Sequence, residues 1–165
     1  MLDWVQDKIR HARAEGWTRL DLGNTGLTTI PEEVWSLEEL EVLVLGSRYY
    51  DHPHRTWVAS ENQGPQNTIA VIPEQMARLS RLCELYLNGN EIVDVEPLVA
   101  LTALISLDLS YTQVQDVKPL ADLAGVSLGP TAAASLCAGL AGRHGACRRR
   151  AVGLPVRRQR NRPAP

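Results

Sequence analysis

The chain has 165 residues, 44% apolar and 22% charged, which is long and apolar enough for one globular domain with a core of its own. No apolar run approaches the roughly 18 residues a membrane-crossing helix needs, and the opening MLDWVQDKIR is acidic and polar rather than signal-like, so a cytoplasmic setting is expected. The net charge of -2 conceals two regions: all 19 acids lie between Asp3 and Asp122 among nine Lys and Arg, leaving that body near -10, whereas the stretch from Ser127 onward carries eight Arg and no acid.

Residues 2–14 have Leu2, Val5, Ile9 and Ala12 on one helical face, with Asp3 as a candidate N-cap and Gly16 as a stop, so residues 1–16 are expected to form a helix. Its role is to cap the apolar end of a repeat array; dimerisation is the other use for such a face. From Trp17 a template recurs, apolar at its first, fourth, sixth and eleventh places with Asn at its ninth, fullest in LCELYLNGNEI from Leu82. WTRLDLGNTGL from Trp17, LEVLVLG from Leu40 and LISLDLSYTQV from Leu104 share it. Trp17 and Leu40 are 23 apart, Leu82, Leu104 and Val126 are 22 apart, and Leu40 to Leu82 is 42, one unit plus a 19-residue insertion.

Within each unit the middle of the template predicts a short strand. In the first, Trp17, Leu20, Leu22, Leu27 and Ile30 point inward while Arg19, Asp21 and Gly23 alternate outward. Pro31 turns the chain to the convex side, and Val34 and Leu37 return it to Leu40. The ninth place must hydrogen-bond buried backbone between coils, which Asn67 and Asn90 do fully and Thr25 and Thr112 only in part. In the third and fourth units the convex half changes to V-x-P-L, Val95 to Leu98 and Val117 to Leu120, one residue shorter.

The insertion, residues 46–66, leaves from the end of the second strand and reads as a loop over the rim of the concave face. Tyr49, Tyr50 and Trp57 beside Arg48, Arg55, His52 and His54 give it the residue types of recognition hot spots; alternatively its aromatics fold back on the scaffold. Across the coils, outward strand positions align as Asp21, Val44, Tyr86, Asp108 and as Arg19, Val42, Glu84, Ser106. An exposed apolar centre with acidic flanks is expected there, unless the insertion covers it. Tyr49, Tyr50, Trp57, Val44, Tyr86, Asp21, Glu84 and Asp108 are therefore the candidate partner-binding residues, with the three acids selecting a basic partner.

Leucines are expected at 129 and 131, but Gly129 and Thr131 stand there, so the solenoid is assigned to residues 17–126. Residues 127–165, rich in Gly, Ala, Arg and Pro, are expected to be disordered. The change is abrupt and its composition is that of GC-rich codons in a wrong frame, so a frameshifted or truncated end is the reading, leaving the last coil uncapped and prone to self-association. The alternative gives the Arg-rich tail a role of its own, binding nucleic acid or anionic membrane by charge, although it lacks aromatics for base stacking.

The sequence carries no signature of catalysis. No G-x-x-x-x-G-K-[ST] loop is present, and Lys8 and Lys118 are the only lysines. Asp51, His52 and His54 lack a fourth ligand, and Cys137, His144 and Cys147 lie in the tail, so no metal, cofactor, small-molecule substrate or catalytic residue is expected. Three cysteines make no even framework, and Cys83 alone among the repeats suits a reducing compartment.

Residues 9–125 resemble bacterial leucine-rich-repeat proteins. Ile9 to Leu45 look like the N-terminal repeats of Roco-type GTPases and related signalling receptors, and Glu91 to Leu123 resemble internalin-type repeats. The resemblance implies an α/β, right-handed, curved solenoid with a parallel concave sheet, used without enzymatic chemistry to bind proteins. The GTPase and dimerisation domains that come after such repeats in Roco-type relatives are not in this sequence, so the alternative to an independent module is a remnant of a longer signalling protein.

Overall fold

In the computed structural model the described residues are 3–123 together with 127–128. Helix α1, Asp3–Glu15, lays Val5, Ile9 and Ala12 against the first coil and ends at Gly16, whose φ of 63° is a left-handed C-cap. The Trp17 amide closes that end on the Ala12 carbonyl at 2.8 Å. The capping expectation holds for these residues; Leu2 lies outside the described ones.

Five parallel strands come next, β1 (Arg19–Asp21), β2 (Val42–Val44), β5 (Glu84–Tyr86), β6 (Ser106–Asp108) and β7 (Ser127–Leu128), in that order across one sheet. Each is short, two or three residues, because the ninth-place turn follows soon after in every coil. Leu20, Leu43, Leu85 and Leu107 are in register across the sheet and point into the core. The convex side consists of single 3-10 turns, Glu32–Ser36, Glu74–Arg78, Glu96–Ala100 and Lys118–Asp122, each closed by an amide-to-carbonyl bond three residues back. One continuous core runs from Val5 to Leu123, as stacked repeats require.

The ninth-place residues do what their chemistry predicts, and Thr25 does more. Asn67 Oδ1 accepts from the Thr25 and Leu27 amides at 3.1 and 2.8 Å, and its amide nitrogen donates to the Leu22 and Leu45 carbonyls. Thr25 Oγ1 reaches the Leu22 carbonyl at 2.8 Å and lies 3.0 Å from Asn67 Oδ1, so the short threonine is completed by the next coil's asparagine. Asn90 repeats the pattern one coil on.

Two expectations are corrected. The insertion is not a loop but a β-hairpin, β3 (Arg48–Asp51) against β4 (Thr56–Ala59), because Tyr49, Tyr50, Trp57 and Val58 are strand formers around a Pro53 turn. The parallel sheet also runs past residue 126: Leu128 pairs with Leu107, 21 residues earlier, where Leu107 and Leu85 are 22 apart. The last register is one residue short, so the leucine expected at 129 stands at 128. The expectations of disorder, frameshift and an uncapped end fall on residues outside the described ones.

Candidate functional site

The hairpin is built onto the concave sheet at both ends. At its start Gly46 leaves no side chain where a Cβ would lie 2.6 Å from the Asn88 amide, and Asn88 uses that space. Asn88 Oδ1 accepts from the Ser47 and Arg48 amides, and Nδ2 donates to the Arg48 carbonyl at 2.7 Å. At its end Ser60 Oγ and the Glu61 amide donate to the Asp21 carboxylate at 2.8 and 3.0 Å, and Asn62 Nδ2 donates to the Gly23 carbonyl at 2.8 Å. A Cβ on Gly23 would sit 2.0 Å from the Gly46 carbonyl oxygen, so this seam between coils requires glycine.

Register alternation gives the hairpin two faces: Tyr49 and Val58 share one, Arg48, Tyr50, Trp57 and Ala59 the other. The Tyr49 face meets the N-terminal side, where the Arg19 guanidinium stacks 3.8 Å from the Tyr49 ring centroid. The other face meets the C-terminal side, where Trp57 stands edge-on 6.3 Å from Tyr86 and 5.5 Å from Tyr50. Tyr86 lies beneath both, with Tyr49 at 6.2 Å.

Val44, Tyr49 and Tyr86 consequently form a second small core, flanked by Val42, Tyr50 and Val58. The expected exposed apolar centre is corrected: Val44 and Tyr86 are fully buried because the hairpin lies on them. The acidic flank is spent as well. Asp21 is buried under its hydrogen bonds to the hairpin base, and Asp108 is buried with Oδ1 accepting from the Ser110 amide and hydroxyl while Oδ2 has no partner among the described residues. Glu84 places Oε2 2.9 Å from the Tyr86 hydroxyl and Oε1 3.3 Å from His52 Nε2. Burial first, then the charge and hydrogen bond of Glu84, push the Tyr86 hydroxyl far above the ordinary tyrosine range; burial raises Tyr49 too. Burial lowers Lys8, which reaches Asn62 beside Asp21.

Of the eight candidates, Trp57 is exposed, Tyr50 and Glu84 are partly exposed, and the other five are buried. Asp51, His52 and His54 do not converge: His54 hydrogen-bonds Asp51 at 2.7 Å, holding that carboxyl below its usual range, while His52 turns to Glu84. Among the described residues no three His, Cys, Asp or Glu side chains are arranged to hold a metal, and no helix is long and apolar enough to cross a membrane. Cys83 is buried, with Sγ 3.3 Å from the Arg81 carbonyl oxygen.

Reading by sequence missed Asn88, Ser60, Asn62 and Tyr111. Asn88 and Tyr111 occupy the seventh and eighth template places, next to the ninth that drew attention, and nothing in the repeat pattern marks Ser60 or Asn62. Tyr111 is 72% exposed, has a φ of 59°, and lies 5.6 Å from the Arg48 guanidinium.

A family profile described as leucine-rich repeats in two copies matches residues 80–122. Together with the parallel concave sheet and the asparagine turns, that match decides the architecture. The fold is a leucine-rich-repeat solenoid. An internalin of Listeria monocytogenes superposes with a TM-score of 0.55 at 23% identity, over 77% of this chain and 35% of its own. Internalin C2 of the same organism gives 0.44 at 28% identity over 71% and 54%, and a leucine-rich-repeat protein of Leptospira interrogans 0.47 at 19% over 72% and 32%. The chain thus spans about a third to a half of the length of these solved solenoids. No curated protein sequence matches it.

Proposed function

We propose that this solenoid is a non-enzymatic protein-interaction module, and that its partner docks on the C-terminal side of the hairpin. The observation that carries the reading is Trp57, 38% exposed on a hairpin whose two ends are bonded to the first and third coils. A braced aromatic adds contact area without much ordering entropy at binding. Tyr50 and Trp57 supply the contact; Glu84 and His52 latch the tip; Tyr49, Val44 and Tyr86 form the seat; Asp21 and Asp108 belong to the scaffold. Repeat solenoids present their concave side and its loops to partners, which supports the same face.

The test is a partner co-purified with the full chain and then challenged with two variants. Trp57→Ala with Tyr50→Ala should abolish the interaction, and Glu74→Ala with Arg78→Ala on the convex side should keep it. Retention by the first variant, with an unchanged melting temperature, would exclude this surface. Replacing Tyr86 or Asp108 is a poor test, because both are buried and their loss would perturb the fold itself.

A further inference from the structure

We infer that Arg48, held between Trp57 and Tyr111, is the carboxylate-binding centre of this surface, and that its ligand is an acidic segment of a partner protein. The inference rests on the interaction reading above and gives the partner a charge. The Arg48 guanidinium lies 4.9 Å from the Trp57 ring centroid and 5.6 Å from that of Tyr111. Aromatic faces engage the flat sides of a guanidinium and leave its in-plane N–H groups, the fork that matches a carboxylate, unspent. Among the described residues that fork donates no hydrogen bond and meets no carboxylate, although acids outnumber Lys and Arg by 19 to nine up to Val126. Arg10 and Arg81 in the same scaffold do pair, with Asp7 and with Glu39 and Glu41.

Three acids of the hairpin and the concave sheet are committed elsewhere, and Asp108 is buried with Oδ1 on Ser110 and Oδ2 unpartnered among the described residues. Asp51 holds His54, Glu84 meets His52 and Tyr86, and Asp21 holds the hairpin base. The backbone that carries the cation is also fixed, since Asn88 binds both the amide and the carbonyl of Arg48. An arginine that is stacked, anchored and unpaired among the described residues is prearranged for a bidentate oxyanion.

Tyr111 is the independent sign. At the same eighth template place, Gly89 and Asn24 adopt φ of 74° and 49°, residues suited to the left-handed region, whereas Tyr111 adopts 59° with a bulky side chain. The repeat turn itself sets the left-handed φ at this place; what the turn does not require is a bulky exposed aromatic carrying it, and that aromatic's position beside the cation points to a ligand.

Binding of hexaglutamate and of hexalysine peptides to the full chain tests this, with Arg48→Lys and Tyr111→Gly as variants. Arg48→Lys preserves charge, so any binding of the acidic peptide by the tail arginines is equal in both proteins. Hexaglutamate should bind the wild type and weaken about tenfold in each variant, the loss of one bidentate, stacked contact. Tyr111→Gly should melt no lower than wild type, because glycine adopts this φ freely. Equal hexaglutamate affinity in wild type and Arg48→Lys, or a preference for hexalysine, would overturn the inference. A lowered melting point for Tyr111→Gly would assign that residue to the fold instead and remove its support. A natural partner lost from the Trp57 variant but indifferent to Arg48→Lys would leave the interaction surface standing and sink the acidic ligand alone.

Discussion

Asn67 and Asn90 occupy the same template place, yet they do unequal work. Asn67 serves two coils, taking the Thr25 and Leu27 amides and the Thr25 hydroxyl while donating to Leu22 and Leu45 carbonyls; Asn90 takes one amide and donates twice. Removing a side chain that satisfies buried backbone leaves each orphaned group about 1–3 kcal/mol worse. Asn67→Ala is therefore expected to cost more than Asn90→Ala, both on the order of several kcal/mol, in urea unfolding. Equal costs would mean that Thr25 needs no help from its neighbour. Tyr86 adds a pH dependence whose sign is fixed. A folded hydroxyl held above its ordinary 10.0 contributes stability that is complete below pH 10 and is lost as pH rises towards the folded value; Tyr49 acts the same way. Lys8, lowered by burial, opposes them between its folded value and 10.5. Melting temperature should fall above pH about 10, and more steeply for wild type than for Tyr86→Phe, which no longer titrates there.

At the scale of elements, the hairpin is the piece that composition alone could not place. Its aromatics, its 19-residue length and its point of departure were all legible, because an insertion shows as a break in a counted period. Its pairing was not, because the partner of Tyr50 is set by a turn geometry, and its seat was not, because Asn88 and Ser60 carry no repeat signature. The outward row Asp21, Val44, Tyr86, Asp108 was aligned correctly from the period, but alignment says nothing of what lies above it. The consequence is testable through Asn88. Asn88→Ala removes the bonds that fix Ser47 and Arg48, while the Asp21 anchor remains. Amides of β3 and β4 should then exchange faster with solvent while those of Leu43 and Leu85 keep their protection. Uniform loss across the sheet would show that hairpin and sheet open as one unit.

For the whole molecule, stacked coils normally interact only with their neighbours, so stability along a solenoid is a sum of local and interface terms. The hairpin breaks that rule by tying the first coil, through Asp21 and Gly23, to the third, through Asn88. Among the described residues no comparable brace reaches β6 beyond its own sheet bonds, apart from the exposed stack of Arg48 on Tyr111. Two regimes should coexist in one domain. Opening any coil from β1 to β5 must also break the brace, whereas the coil carrying β6 can open by losing only its own sheet interfaces, to β5 and to β7. In native-state hydrogen exchange the Leu107 amide should therefore open at a lower free energy than those of Leu43 and Leu85. Leu43→Ala should carry the full penalty for a buried leucine, about 2–5 kcal/mol, in global unfolding. Leu107→Ala should carry less of it there and appear chiefly as local opening near β6. Asp21→Ala releases the N-terminal anchor and should narrow the gap between Leu43 and Leu107, because the brace then holds one coil rather than two. If that gap is unchanged in Asp21→Ala, the cooperativity of the first three coils comes from their core alone, and the hairpin rides on the solenoid without reinforcing it.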